Sequence, residues 1–277
     1  MADRIRIERD AGVVHVQMNR PEKKNAIDAE LFDGLRETAK ALAHDASVRA
    51  VVLSGAGDCF SAGLDLSNFA EMAGGGLDAD REDVKAAAAD LSPAGANRAQ
   101  QIAWLWQELP APVIAAVQGA AYGGGFHIAL GADIRFIAPD ARIAFVEITW
   151  GLVPDLSGSQ ALRRLVSLDV AKKLIFSGEP VSGERAVELG LGTELSENPL
   201  DDALALAQVI ARHSPDAVRT AKKLLNASAL VPLSEGLANE FRATAGLMGT
   251  PNQIEAVVAR LERRSPNFTD PGASSGS

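Results

Sequence analysis

The chain has 277 residues, 47% of them hydrophobic, so it can bury a sizeable core as one large domain or two small ones. Its net charge of −9 and the absence of a basic stripe count against a general nucleic-acid-binding protein. Cys59 is the only cysteine, the N-terminus has no secretory signal and no apolar stretch could span a membrane, so we expect a cytoplasmic protein without disulfides.

The first predicted elements are a hairpin, a helix and a buried strand. Residues 4–10 and 13–19 alternate apolar and polar side chains on either side of Ala11-Gly12, which predicts a β-hairpin. Asp28 can cap a helix that runs to about His44. An apolar strand over 50–54 follows.

The middle of the chain predicts helices and then a glycine-rich junction. Residues from about 67 to 109 read as helices interrupted by a triple glycine at 74–76, which we expect to be a flexible loop tip within a lid over the site. The strand at 113–117 leads to Gly123-Gly124-Gly125, which opens a helix. Strands are predicted at 133–138 and 142–145. From Ser157 onward the periodicity is helical, which predicts an all-helical C-terminal third.

The glycine triplet has a chemical meaning as well as a structural one. Glycines between a strand and a helix remove side chains where backbone N–H groups must approach a ligand. The helix N-terminus adds unpaired donors and a partial positive charge, which suits a phosphate or a developing oxyanion. A second small-residue turn, FSAGLDL, lies at residues 60–66 after another apolar strand. Further along, Glu147 and Asp155 are eight residues apart on either side of a Gly/Pro-broken turn.

Together with NRPEKKNAI at residues 19–27, these motifs resemble the crotonase superfamily, the enoyl-CoA hydratases and isomerases. The resemblance implies an α/β fold built as a spiral of ββα units, with the CoA-thioester site in residues 1–200. It implies a helical region at 201–268 that packs on the core and on neighbouring subunits. A flexible tail would follow at 269–277. A homotrimer or a dimer of trimers is the implied assembly.

The resemblance also implies how the site works. The thioester reacts through an enolate, whose oxygen needs two preorganised N–H donors. Matching the motifs position by position makes these donors the backbone N–H groups of Leu64 and Gly124. Lys23 and Lys24 lie where crotonases begin their CoA pocket. The full set of implied substrate or CoA contacts is Lys23, Lys24, Ala26, Ala62, Gly63, Asp65, Leu66, Gly123 and Trp150.

Proton transfer requires a positioned acid or base. Hydratases of this family use two glutamates, of which one matches Glu147 and the other falls on His127. The position of Asp155 is a carboxylate in the dienoyl-CoA isomerase branch, which keeps a third acid where this chain has His127. We therefore expect Glu147 and Asp155 to shuttle a proton. His127 would be a neutral hydrogen-bond partner, because the positive helix end disfavours an imidazolium.

Each candidate also has a purely structural alternative. Glu147 could be a surface carboxylate, and Asp155 could be the N-cap of a helix that begins near Leu156. His127 could be a semi-buried histidine whose hydrogen bonds are satisfied. Apolar walls, either of the core, which is favoured, or of an acyl-chain pocket, are expected to contain three aromatic residues: Trp104, Phe126 and Trp150.

The leading hypothesis is a CoA-thioester isomerase that needs no cofactor beyond the CoA moiety of its substrate. The first alternative is an enoyl-CoA hydratase of fatty-acid-type degradation. Other enzymes of the family catalyse thioester hydrolysis, decarboxylation or aryl-CoA dehalogenation, and these reactions are further alternatives. The last alternative is a catalytically idle protein that only binds acyl-CoA. The four histidines show no metal-ligand spacing, and no P-loop, dinucleotide fingerprint or nucleophilic serine elbow is present.

Overall fold

The computed structural model describes residues 3–65, 85 and 89–272. The strands are β1 (Ile5–Asp10), β2 (Val13–Met18), β3 (Ala50–Gly55), β4 (Val113–Val117), β5 (Ala120–Tyr122), β6 (Ile134–Ile137), β7 (Arg142–Ala144), β8 (Val181–Ser182) and β9 (Glu194–Leu195). The helices are α1 (Ala29–Ala43), α2 (Arg98–Glu108), α3 (Gly124–Gly131), α4 (Gly158–Leu165), α5 (Leu168–Ser177), α6 (Gly183–Glu188), α7 (Pro199–Ala211), α8 (Pro215–Ser228), α9 (Leu233–Leu247) and α10 (Pro251–Glu262). Short 3-10 turns lie at Pro21–Lys23 and Glu147–Trp150.

The strands form two sheets, and the chain passes between them several times after β4. The larger sheet has the order β1-β2-β3-β4-β6-β9 and the smaller one β5-β7-β8. All neighbouring strands are parallel except the pairs β1–β2 and β7–β8. The pairs β4–β5 and β6–β7 each add one strand to the large sheet and one to the small sheet before the next α-helix begins, whereas α6 separates β8 from β9. This confirms the predicted α/β spiral of ββα units.

The N-terminal elements form as the sequence predicts. Asp10 pairs with Val13 across the hairpin turn. The Asp28 carboxylate accepts a hydrogen bond of 2.8 Å from the Leu31 N–H, which caps α1. Leucines and alanines at helical spacing along α1 are buried against the sheet.

The large sheet is buried on both faces, which explains why its central strands are continuously apolar. Alternate residues of β3 point to opposite sides. Val51 and Leu53 belong to the main core, whereas Val52 packs in a second cluster with Ala203 and Ala207 of α7. Helix α7 therefore closes the face of the sheet opposite the main core.

Two short strands correct the prediction that the chain is helical from Ser157 onward. β8 and β9 have two residues each, too few for an alternating pattern to appear in the sequence. β9 forms because Glu194 meets Phe136 at the edge of the large sheet. The triple glycine at 74–76, and with it the lid hypothesis, lies outside the described residues.

The division at residue 200 stays a prediction. The part of the predicted tail that the structure describes contacts the body of the protein, since Asp270 forms an ion pair of 2.6 Å with Arg49. Residues 273–277 lie outside the described ranges. Within those ranges, no helix is both long and apolar enough to cross a membrane.

A buried ion pair fastens α8 to the core. The Lys222 ammonium lies 2.7 Å from the Asp133 carboxylate and donates to the carbonyl oxygens of Trp106 and Ala111, each at 3.1 Å. Removing one partner of such a pair leaves an uncompensated buried charge. We expect Lys222→Met to lower the free energy of unfolding by about 3 kcal/mol, measured by urea denaturation.

The matched control is Lys223→Met, because Lys223 is exposed one residue further along the same helix. Its effect should stay within about 0.5 kcal/mol. Equal destabilisation by the two substitutions would contradict the role given to Lys222.

Candidate active site

The first predicted donor, the Leu64 N–H, lies on a loop held by backbone hydrogen bonds. Ile27 N–H donates to the Gly63 carbonyl at 2.8 Å, and Asp65 N–H donates to the Ile27 carbonyl at 3.0 Å. Gly63 has a φ of +91°, and a Cβ there would lie only 2.6 Å from the Tyr122 carbonyl oxygen. Glycine is therefore required where the loop turns to present Leu64.

The second predicted donor, the Gly124 N–H, opens α3. The first N–H groups of a helix have no partner inside it. A Cβ on Gly124 would lie 2.9 Å from Leu156 Cδ1 and 3.9 Å from Leu64 Cγ, so the two donor residues are neighbours. Within the described ranges, neither N–H has a hydrogen-bond acceptor. The structure thus brings together the two backbone groups that the sequence singled out.

Glu147 lies beside these donors at the start of a 3-10 turn. Its Oε1 is 3.0 Å from the position that a Cβ on Gly123 would take, and its side chain is only 13% exposed. Burial raises the pKa of Glu147 to about 6, and the charge of Asp155 adds to the increase. Glu147 is therefore not a surface carboxylate, and it is close enough to Asp155 for their charges to interact.

Asp155 does not cap the following helix. α4 begins at Gly158 with Ser157 at the N-cap position, so the N-cap alternative for Asp155 is wrong. The residue is exposed as a whole, but protein covers part of its carboxyl group. This partial desolvation raises the pKa of Asp155 above its usual range.

His127 is fully buried in the first turn of α3. Its Nε2 lies 3.4 Å from Glu147 Oε1, yet among the described residues neither ring nitrogen has a hydrogen-bond partner. The ring packs against Phe145 and against Gly158, where a Cβ would lie 2.6 Å from Nε2. Among the described residues, the ring therefore lacks the hydrogen bonds that the structural alternative assumed, and it is fully rather than partly buried.

Burial lowers the pKa of His127 to about 3. From the sequence, the positive helix end was expected to keep the imidazole neutral. In the structure, the main cause of the lowered pKa is desolvation. We expect the ring to stay neutral at pH 7 and well below it. Nitrogen-detected NMR across a pH titration measures this directly, with His127→Gln identifying the signal among those of the four histidines. An imidazolium at neutral pH would contradict the expectation.

Several of the residues expected to contact CoA lie on the 3-10 turn before α1 or on the loop that carries Leu64. Lys23 and Lys24 are exposed at the 3-10 turn, and the Lys24 carbonyl accepts from the Ala62 N–H at 2.9 Å. Ala26 is half-buried nearby. Asp65 forms an ion pair with Arg20, which gives this carboxylate a role in fixing the loop. Leu66 lies outside the described residues.

The three aromatic residues have different environments. Phe126 is buried in the core, as expected. Trp150 is 50% exposed in the turn that carries Glu147, and Trp104 is partly exposed with the Arg164 guanidinium 5.7 Å from its ring centre. The expectation that each faces the core is wrong for both tryptophans.

Sequence reasoning missed the polar side chains that shape the donor loop. Buried Asn25 donates to the carbonyls of Ala56 and Cys59, and Ser61 Oγ donates to the Asn25 carbonyl at 2.8 Å. The positive φ of Asn25, 52°, is typical of the few residue types that tolerate the left-handed region. An asparagine and a serine inside the two motifs were the available signal.

The described residues contain no group of three or more His, Cys, Asp and Glu side chains that could hold a metal ion. The groups that the described part of the site offers are two amide donors, two carboxylates and a neutral imidazole.

Comparison with known proteins shows what the whole chain is similar to. The family model for enoyl-CoA hydratase/isomerase matches residues 8–271. The 2,3-dehydroadipyl-CoA hydratase of Escherichia coli (strain K12) is 34% identical over 267 residues, which cover 95% of this chain and 97% of that protein. The probable enoyl-CoA hydratase of Bacillus subtilis (strain 168) is 32% identical over 88% of this chain and 90% of its own length. The crystal structure of enoyl-CoA hydratase from Bacillus anthracis superimposes with a TM-score of 0.84 at 31% identity, covering 96% of this chain and 98% of that one.

Proposed function

Because this chain belongs to the enoyl-CoA hydratase/isomerase family and is an acyl-CoA-processing enzyme of the crotonase superfamily, we propose that it moves a C=C bond in enoyl- or dienoyl-CoA thioesters. The observation that carries the proposal is the pairing of Glu147 with Asp155. Each carboxyl group has a raised pKa, and the charge of Asp155 contributes to the shift at Glu147. The third titratable group, His127, supplies no charge at neutral pH.

The reaction needs an enolate whose oxygen is stabilised as charge develops on it. The Leu64 and Gly124 N–H groups are adjacent and without acceptors among the described residues, which suits them to the thioester oxygen. Removing one such donor in comparable sites costs about 3–4 kcal/mol of transition-state stabilisation. These groups act from fixed backbone, so little reorganisation is required when charge appears.

Proton transfer then divides between the two carboxylates. The ionised carboxylate of Glu147 takes a proton from the carbon next to the thioester carbonyl, which gives the enolate. Asp155, which is ionised when Glu147 titrates, receives this proton from Glu147 with exchange against solvent and returns it further along the conjugated chain, so both carboxylates end as they began. One proton leaves the substrate and one is added, so the double bond moves without water, oxidant or reductant. No cofactor beyond the CoA moiety is needed.

Enoyl-CoA hydration is the second candidate, because the relatives and the superimposed structure bear hydratase names. In this version Glu147 positions a water molecule together with Asp155 or His127. The resemblance ascribes two glutamates to hydratases, and this chain has a neutral histidine in place of one of them. Isomerisation is proposed first because Asp155 supplies the second carboxylate that the isomerase branch has at this position, while both branches have an acid where this chain has His127.

One experiment separates these functions. The purified protein is given 3-enoyl-, 3,5-dienoyl- and 2-enoyl-CoA in deuterated water, alongside Glu147→Gln and Asp155→Asn. Double-bond migration with deuterium uptake, lost in both variants, supports the isomerase. Hydration of 2-enoyl-CoA that survives Asp155→Asn replaces it with a hydratase that depends on Glu147. Thermal stabilisation by acyl-CoA without turnover replaces both with an idle binding fold.

The proposal includes the assembly expected from the family, a homotrimer or a dimer of trimers, in the cytoplasm. Large apolar side chains remain exposed on the last helices, including Leu233, Phe241 and Leu261. Such side chains favour burial against another subunit. Sedimentation velocity tests the assembly, and a monomer at micromolar concentration would overturn it.

A further inference from the structure

A cavity of about 440 Å³ lies between α2 and α4, next to the proposed active site. Ser157 lines this cavity and directly follows Leu156, which packs against the Gly124 donor. Gly158, the next residue, packs against the His127 ring. The start of α4 therefore borders the reacting groups, and the rest of the helix leads away from them along the cavity.

The cavity wall carries two adjacent guanidinium groups, those of Arg163 and Arg164. Among the described residues, neither has a carboxylate within ion-pair distance. Arg164 lies over Trp104, and Arg163 makes only a long contact of 3.4 Å with Gln160. Partial burial and repulsion from Arg163 lower the pKa of Arg164. Among the described residues, no negative charge balances this pair of positive charges.

We propose that this cavity receives the far end of the acyl group and that Arg163 and Arg164 bind a carboxylate there. The preferred substrates are then CoA thioesters whose acyl group ends in a carboxylate. This inference rests on the proposed acyl-CoA function and adds the substrate class to it.

Distance and chemistry both support a carboxylate at the end of a short acyl chain. Arg163 is five positions beyond Gly158 along the helix, which corresponds to a rise of about 7.5 Å. An arginine guanidinium presents several N–H donors in a planar fork that matches a carboxylate. Gln100 and Gln160 also line the cavity and can donate further hydrogen bonds. An apolar acyl end would leave these polar groups unpaired.

The same arginines border a larger cavity of about 820 Å³ on the side of α8. That cavity is bounded by Leu130 and Leu225, and its buried cation Lys222 already pairs with Asp133. The smaller cavity is the one that also contains Ser157, next to the donor site. This continuity assigns the carboxylate to the smaller cavity.

The test compares two thioesters that differ only at the far end of the acyl group. Hexanoyl-CoA ends in a methyl group and adipyl-CoA ends in a carboxylate in its place. Neither contains a C=C bond, so neither can be isomerised or hydrated, and isothermal titration calorimetry measures binding alone. We expect adipyl-CoA to bind at least tenfold more tightly to the full-length protein.

The Arg163→Gln/Arg164→Gln double variant should reduce that preference to less than twofold while leaving the affinity for hexanoyl-CoA unchanged. Arg260→Gln is the matched control, because Arg260 is exposed on α10, and it should retain the preference. Equal affinities in the parent protein, or a preference that survives in the double variant, would overturn the inference. Failure of both thioesters to bind the folded protein would instead remove the acyl-CoA function, and the inference with it.

Discussion

Replacing Glu147 with glutamine should lower kcat by about a thousandfold, because the amide keeps the shape of the side chain but cannot accept a proton as a base. The carboxylate lies beside Gly123 at the N-terminus of α3, and its pKa is already raised toward neutrality. Initial rates on the best substrate of the isomerase or hydratase assay measure the effect. Glu188→Gln, at an exposed position in α6, is the control and should leave kcat unchanged.

The pH dependence gives the same prediction a second readout. Glu147 has a pKa raised from 4.5 to about 6, and the reactive form is the ionised one. Activity should therefore be full at pH 8 and fall as the pH is lowered through about 6. His127 does not titrate in that window, since its pKa lies near 3. Full activity of Glu147→Gln, or a profile that is flat between pH 5 and 7, would remove Glu147 from the proton-transfer step.

The features that could be predicted from the sequence are those written in local backbone patterns. Gly63 is needed because it has a positive φ and a Cβ there would collide with the Tyr122 carbonyl oxygen, so the residue type itself marks the site. Asp28 and α1 follow from a cap and a helical spacing that span only a few residues. The spiral fold was implied by the resemblance of these motifs to a known family, not by the local patterns themselves.

What could not be predicted depends on contacts between distant parts of the chain. Arg20 and Asp65 are 45 residues apart in sequence and form an ion pair that no local pattern signals. The environment of His127 is another case, because Gly158 and Phe145 bury the ring from segments that follow it. Burial, not the helix end, is the main cause of its lowered pKa, and burial is a property of the folded chain.

Gly63→Ala should reduce kcat/KM by about a hundredfold or more through loss of one oxyanion donor. Gly63 has a φ of +91°, which disfavours any side chain. The added Cβ would also lie 2.6 Å from the Tyr122 carbonyl oxygen, a rigid backbone atom of β5. The loop must move to relieve this contact, and the Leu64 N–H moves with it, away from its position next to Gly124.

The control for this prediction is Gly249→Ala. Gly249 also has a positive φ, +76°, but a Cβ there would meet no atom within 4 Å, so the substitution carries the backbone strain without the collision. Thermal unfolding should therefore register a cost in both variants, whereas kcat/KM should fall only in Gly63→Ala. Affinity for CoA itself should change little, because the oxyanion donors act on the thioester oxygen. If Gly63→Ala lost stability but kept its kcat/KM, the Leu64 N–H would not be an oxyanion donor, and stabilisation of the enolate would have to come from the α3 N-terminus alone.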